Sequence, residues 1–99
     1  MNIPNKVKVG GYWYYIYKGY QFTEQADLLG QADHDMLAIR LSDKDASGRD
    51  RPIQKKEEIF FHEILHCIDA VYNSGKLEEE IVERISEGLY QVLKDMEVI

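Results

Sequence analysis

The stretch from Ile53 to Tyr72 constrains the fold most, because it contains neither glycine nor proline and is bounded by helix start and stop signals. Pro52 is tolerated in a first helical turn, where its fixed φ suits the helix. The segment Asn73-Ser74-Gly75 tolerates the left-handed backbone that closes a helix. The sequence therefore predicts one long helix in the second half of the chain, against which the remaining elements must pack.

Hydrophobic spacing assigns a core face to this helix and to a second helix predicted from about Leu77 to about Met96. At about 100° per residue, the apolar residues of the first helix form one broad stripe. Its members are Phe61, Ile64, Leu65, Ile68, Val71 and Tyr72. The corresponding stripe of the second helix consists of Ile81, Val82, Ile85, Leu89, Val92 and Leu93. Because the connection is short, we expect the two helices to form an antiparallel hairpin.

The first half of the chain is predicted to form β-strands. Lys6 to Val9 alternates charged and branched apolar residues, and Gly10-Gly11 links it to the aromatic run Tyr12 to Lys18. A second hairpin is predicted from Gly30–Asp33 and Met36–Leu41. The stretch from Gln21 to Leu29 has no clear pattern, and its part from Thr23 onward could form one helical turn or an irregular connector. The prediction is a single α+β domain over residues 1–99. A small, mainly antiparallel sheet of about three or four strands in residues 1–42 packs on two long helices in residues 52–96.

Composition limits the classes of function. The apolar fraction of 44% indicates a globular protein, and the net charge of −6 does not suggest a surface for nucleic-acid phosphates. The aromatic run could stack bases, but it lacks interleaved basic residues, so core and cross-strand packing is favoured. No apolar run is long enough for a membrane span and no signal peptide is evident, so we expect a cytoplasmic protein. Cys67, the single cysteine, is expected to be a packed thiol.

The chemistry is carried by the sequence His62-Glu63-Ile64-Leu65-His66 within the long helix. Residues four apart share a helical face, so both imidazoles can bind one metal ion, and Glu63 can take a proton from a water on that ion. Catalytic zinc has three protein ligands, so a third must come from elsewhere. The second helix offers several carboxylates, and composition alone does not choose among them: Glu78, Glu79, Glu80, Glu83 and Glu87.

The segment Glu83-Arg84-Ile85-Ser86-Glu87 resembles the ligand helix of gluzincin metallopeptidases, including the ImmA/IrrE-type regulatory peptidases. Residues 53–94 also look like small phage-encoded proteins with the same histidine motif. The resemblance implies a minimal zincin-like domain that binds one Zn²⁺ per chain through His62, His66 and Glu83, with Glu79 as the alternative third ligand. It implies that Glu87 orients a ligating histidine and that Glu63 is the general base for hydrolysis of a peptide or protein substrate.

Other roles are less constrained by the sequence. Met36–Leu41 is the candidate sheet edge for an extended substrate, and Asp69 is expected to contact an imidazole or solvent rather than the metal. The candidates for stabilising an oxyanion are Tyr72, Tyr90 and His34, the last of which otherwise reads as a turn residue. Two alternatives stay open. One is an inactive zinc-binding interaction module of phage origin, its ion closed by Asp69 or Glu79, and the other is a metal-free helical hairpin.

Overall fold

A computed structural model of the chain describes residues 1–23, 25 and 28–99. Its elements are β1 (Lys6–Val9), β2 (Tyr12–Lys18), β3 (Gly30–Asp33), β4 (Ala38–Leu41), α1 (Ile53–Tyr72) and α2 (Glu79–Asp95). The predicted α+β class, with the strands preceding two long helices, is confirmed. The stretch left unassigned from the sequence, Thr23 to Leu29, includes Glu24, Ala26 and Asp27, which lie outside the described residues.

The four strands form one mixed sheet in the order β1-β2-β4-β3. Both predicted hairpins are present: β1 pairs antiparallel with β2, and β3 pairs antiparallel with β4. The first turns through Gly10, whose φ of 59° is a left-handed conformation that glycine adopts without steric cost. The two hairpins join through β2 and β4, which run parallel.

Strand β4 begins at Ala38 rather than at the predicted Met36, because the preceding residues form a turn. The Met36 amide donates to Asp33 Oδ1 at 3.0 Å, and Leu37 has a φ of 51°. The prediction that Met36–Leu41 forms the sheet edge is wrong. The apolar β4 is largely buried in an interior position, and the more polar β3 occupies the edge.

The hydrophobic core lies between one face of the sheet and α1. Strand residues such as Tyr14 and Ile39 meet Ile59, Phe60 and Cys67 of the helix. The expected packed thiol is confirmed, because Cys67 is completely buried. Helix α2 packs against α1 to complete the hairpin. None of the helices in the described ranges is both long and apolar enough to cross a membrane.

The predicted helix faces are partly wrong. On α1, Phe61 is buried as expected, but Ile68 and Tyr72 are exposed. On α2 the buried face consists of Val82, Ser86 and Tyr90, and most of the predicted stripe faces outward: Ile81, Ile85, Leu89 and Val92. The small Ser86 side chain is consistent with close approach of the helices, and the hydroxyl of Tyr90 donates to buried Glu57.

Candidate metal centre

A cleft of about 500 Å³ lies where α1, α2 and the start of β3 meet. Helix α1 contributes His62, Glu63 and His66, and α2 contributes several acidic side chains. Leu29 and Gly30 form part of the wall on the sheet side. The residues of the histidine motif that were expected to act together therefore border one cavity.

Three side chains converge within this cleft. His62 Nε2 lies 2.6 Å from Glu79 Oε1, and His66 Nε2 lies 2.8 Å from Glu79 Oε2. The two Nε2 atoms are 3.2 Å apart. Both histidines are half-buried, while Glu79 is largely exposed. Two imidazole nitrogens and one carboxylate thus face a common point.

The two histidines are placed by α1 itself. One helical turn separates His62 from His66, so their rings lie one above the other with centroids 4.9 Å apart. The helix begins after Pro52 and ends at Tyr72, as predicted. Ser74 and Gly75 then adopt the left-handed conformation expected for the closing turn, with φ of 57° and 68°.

Glu79 is placed by the connection between the helices. The buried carboxylate of Asp69 accepts hydrogen bonds from Asn73 Nδ2 at 2.9 Å and from the Leu77 amide at 3.2 Å. These contacts tie the turn to α1 just before α2 begins at Glu79. The expectation that Asp69 contacts an imidazole or solvent is therefore wrong. Its described partners belong to the turn.

The structure brings Glu79, rather than Glu83, to the two histidines. Glu83 also borders the cleft but lies one helical turn farther along α2, and it is outside the set of ligand atoms within 4.8 Å of one another. The geometry therefore favours Glu79, the alternative considered from the sequence, over Glu83. Helix α2 starts at Glu79, and this first residue faces the histidines. The resemblance concerns residues later in α2, so it does not show where the turn places the start of the helix.

Glu63 lies beside this cluster in an unusual environment for a carboxylate. It is 6% exposed, and its side chain has no hydrogen-bond partner among the described residues. Burial, and then the charge of Glu79, raises the pKa of Glu63 to about 7. A carboxyl group poised near neutrality is suited to accepting and returning a proton.

Gly30 is a site residue that the sequence analysis missed. A Cβ built at this position would lie 2.9 Å from Glu63 Oε2 and 2.9 Å from Ile59 Cγ2. Both separations are below ordinary contact distance, so the bare backbone of β3 leaves the room that the Glu63 side chain occupies. The only signal in the sequence is a glycine at the start of a strand, which often marks a close approach.

The remaining predicted site residues are not assembled around the cluster. Glu87 borders the cleft, but no described hydrogen bond joins it to an imidazole. The Tyr90 hydroxyl donates to Glu57 Oε1 at 2.6 Å. His34 lies in the turn before β4, with Nδ1 3.1 Å from Tyr14 Oη, and Tyr72 is exposed on α1. None of the three oxyanion candidates is among the described residues lining the cleft.

The donor set of His62, His66 and Glu79 fits a zinc ion. Imidazole nitrogens and carboxylate oxygens bind zinc at about 2.0–2.2 Å, which places neighbouring ligands of a tetrahedron about 3.3 Å apart. The 3.2 Å separation of the Nε2 atoms matches this value. The distance from Glu79 Oε1 to His62 Nε2 is shorter and would have to lengthen slightly to match it. Within the described residues the set has three members.

Comparison of the chain with protein-family models, curated proteins and solved structures gave no match.

Proposed function

We propose that the protein is a zinc-dependent metallopeptidase whose ion is held by His62, His66 and Glu79. The observation that carries this proposal is the convergence of these three side chains beside the buried Glu63 in an open cleft. A structural zinc site has four protein ligands, whereas a catalytic site keeps one position for water. The three-membered set within the described residues supports the catalytic arrangement.

The role assigned to Glu63 is that of general base. A bound zinc ion supplies Lewis acidity, which lowers the pKa of water and polarises a carbonyl group. Glu63 accepts a proton from the attacking water and returns it to the departing amine. Its burial favours this exchange, because desolvation brings the pKa of the carboxyl group close to neutrality.

The proposed substrate is an extended peptide that lies along β3. This strand is at the sheet edge, and its first residue, Gly30, borders the cleft. An edge strand has unpaired backbone groups that can hold a peptide by main-chain hydrogen bonds, with little demand on its sequence. The β3 edge replaces the interior strand that the sequence suggested.

The proposal is tested with Glu63→Gln and an unfolded, dye-labelled protein as substrate. The amide cannot accept the proton, so kcat/KM should fall by about 10²- to 10⁴-fold while the zinc content is unchanged. Glu80→Gln is a matched control, because Glu80 is an exposed carboxylate of the same helix as Glu79 and pairs with Arg84. Equal hydrolysis by wild type and Glu63→Gln would remove Glu63 from this role.

A second candidate is a zinc-binding interaction module without catalysis. It is favoured by one observation: none of the expected oxyanion groups is among the described residues of the cleft. Hydrolysis by the zinc-loaded wild type that is lost in Glu63→Gln excludes this module. A zinc-loaded wild type that is as inactive as Glu63→Gln supports it.

A further inference from the structure

The sheet face that points away from the helices carries a row of exposed aromatic rings. Trp13, Tyr15 and Tyr17 alternate along β2 and are 44%, 51% and 52% exposed, whereas the intervening Tyr14 and Ile16 are buried in the core. Rings two residues apart on one strand are separated by about 7 Å. The row therefore exposes three aromatic side chains to solvent from one strand.

Strand pairing adds positive charge to this row. In the register of β1 and β2, Lys8 is opposite Trp13 and Lys6 is opposite Tyr15. Lys6 Nζ lies 4.6 Å from the centre of the Trp13 ring, and Lys8 Nζ lies 5.7 Å from it. Neither lysine forms an ion pair with the carboxylates of the described ranges. Both ammonium groups lie over the Trp13 ring instead, so positive charge and aromatic surface are combined at one place on this face.

The net charge of the whole chain conceals this local surface. Residues 1–23 contain Lys6, Lys8 and Lys18 but no aspartate or glutamate, so the acidic excess that produces the net charge of −6 lies farther along the chain. Basic residues do not interleave the rings of the aromatic run itself. The lysines come instead from the neighbouring strand, which the linear sequence does not reveal.

We propose that this outer face, defined by Lys6, Lys8, Trp13, Tyr15 and Tyr17, binds single-stranded nucleic acid. Unpaired bases stack on exposed aromatic rings of a sheet, and the adjacent lysines neutralise phosphates. An acidic protein segment would engage the lysines but would leave the π-faces without matching flat partners. The face lies on the opposite side of the sheet from α1, so it adds a binding function that does not depend on the proposed peptidase activity.

The test uses the intact chain and a labelled thymidine oligonucleotide of roughly 12 nucleotides. Trp13 is the only tryptophan, so its fluorescence reports directly on this face. Saturable quenching of Trp13 and a rise in the polarisation of the label are expected, with a uridine oligonucleotide also binding. The affinity should fall roughly five- to tenfold between about 50 and 200 mM salt, because a few phosphate contacts are involved.

Variants distinguish stacking from simple charge attraction. Trp13→Ala should weaken oligonucleotide binding by about tenfold, and Trp13→Phe should retain most of it. Lys6→Gln with Lys8→Gln should weaken binding to a similar extent and reduce the salt dependence. Lys76→Gln, an exposed lysine between the helices, is the matched control and should bind as wild type does. Circular dichroism confirms that each variant is folded.

Three results would each overturn the proposal: no saturable binding by the folded wild type, equal binding by Trp13→Ala, or equally tight binding of polyglutamate with no quenching of Trp13. The last result would assign the face to an acidic protein partner. Hydrolysis by the same preparation is measured separately, so failure here leaves the peptidase proposal unaffected.

Discussion

Helix α1 buries two glutamates that lie in opposite chemical environments. Glu57 is 2% exposed and Glu63 is 6% exposed, so both are withdrawn from bulk water. Burial alone raises the pKa of a carboxyl group, because the charged form loses its hydration. The two residues differ in what replaces that hydration.

Glu57 is supplied with several donors. The Tyr90 hydroxyl donates to Oε1 at 2.6 Å, the Met1 amine donates to Oε2 at 2.9 Å, and Lys94 Nζ lies 3.4 Å from Oε1. Burial raises the pKa of Glu57, but these hydrogen bonds and charges together outweigh it, so the pKa is below its ordinary value. The charged carboxylate ties α1 to α2 and to the start of the chain.

Glu63 has no such donors among the described residues and has a second carboxylate, Glu79, nearby. Its pKa moves upward, first through burial and then through the charge of Glu79. A buried carboxylate that has hydrogen-bond donors stabilises the fold, whereas one that lacks them beside a cleft is a candidate for chemistry.

The largest expected effect concerns the proposed zinc ligand Glu79. Glu79→Ala should weaken zinc affinity by more than about 100-fold, because loss of a direct ligand should exceed the effect of losing an outer hydrogen-bond partner. Glu83→Ala, one turn farther along α2, should have a smaller effect. Competition with a chromogenic chelator measures both affinities. The reverse order would return the third ligand to Glu83.

Glu57→Gln should destabilise the fold by about 1.5–3 kcal/mol, because hydrogen bonds and ion pairs to a charged group are lost. Zinc affinity should be unchanged, because Glu57 is not among the ligand atoms. Urea denaturation provides the free energy of unfolding. A variant that is as stable as wild type, or one that loses zinc while folded, would contradict the structural role.

The lowered pKa of Glu57 predicts that the stability of the fold depends on pH. The pKa of Glu57 is lowered in the fold, so its stabilisation is present above its ordinary pKa of 4.5 and is lost as the pH falls through the lower folded value. Glu57→Gln should lack this component. The stability difference between wild type and variant should therefore narrow on acidification below about pH 4.5, as measured by denaturation at a series of pH values.

Gly30→Ala should lower kcat/KM by about tenfold or more, because the added methyl group must displace Glu63 or Ile59. Gly11→Ala is a matched control. A Cβ at Gly11 meets no atom within 4 Å in the described structure. The Gly11→Ala substitution should therefore leave both hydrolysis and stability unchanged. Full activity in Gly30→Ala would show that the position of Glu63 is not set by β3.

The last substitution is expected to stabilise the protein rather than to weaken it. In metal-free protein, Glu63→Gln should raise the free energy of unfolding by about 1 kcal/mol, because it removes a buried charge with no described donor. Thermal denaturation in chelator measures the change. Destabilisation by this substitution would indicate that Glu63 has a structural partner as Glu57 does.

Local signals in the sequence predicted much of the fold. Pro52 and the Asn73-Ser74-Gly75 segment bounded α1 correctly, because helix ends depend on nearby backbone geometry. Gly10-Gly11 likewise predicted the first hairpin, and the spacing of His62 and His66 predicted their common face. Each of these features is decided within a few residues.

Features that depend on distant contacts could not be predicted. The interior position of β4 depends on how two hairpins join, and the buried face of α2 depends on the contact of Tyr90 with Glu57. The position of Glu79 beside the histidines depends on the turn between the helices, which Asp69 holds through hydrogen bonds. The position of Lys8 opposite Trp13 depends on strand register. None of these arrangements has a local signature in the sequence.

Elemental analysis of the protein purified without added metal shows directly whether Glu63 lies beside a zinc ion. We expect about one zinc per chain in the wild type and in Glu63→Gln, since the three proposed ligands are intact in both. A stable, folded wild-type protein that contains no zinc and takes up none when it is supplied would show that His62, His66 and Glu79 do not form a zinc site beside Glu63.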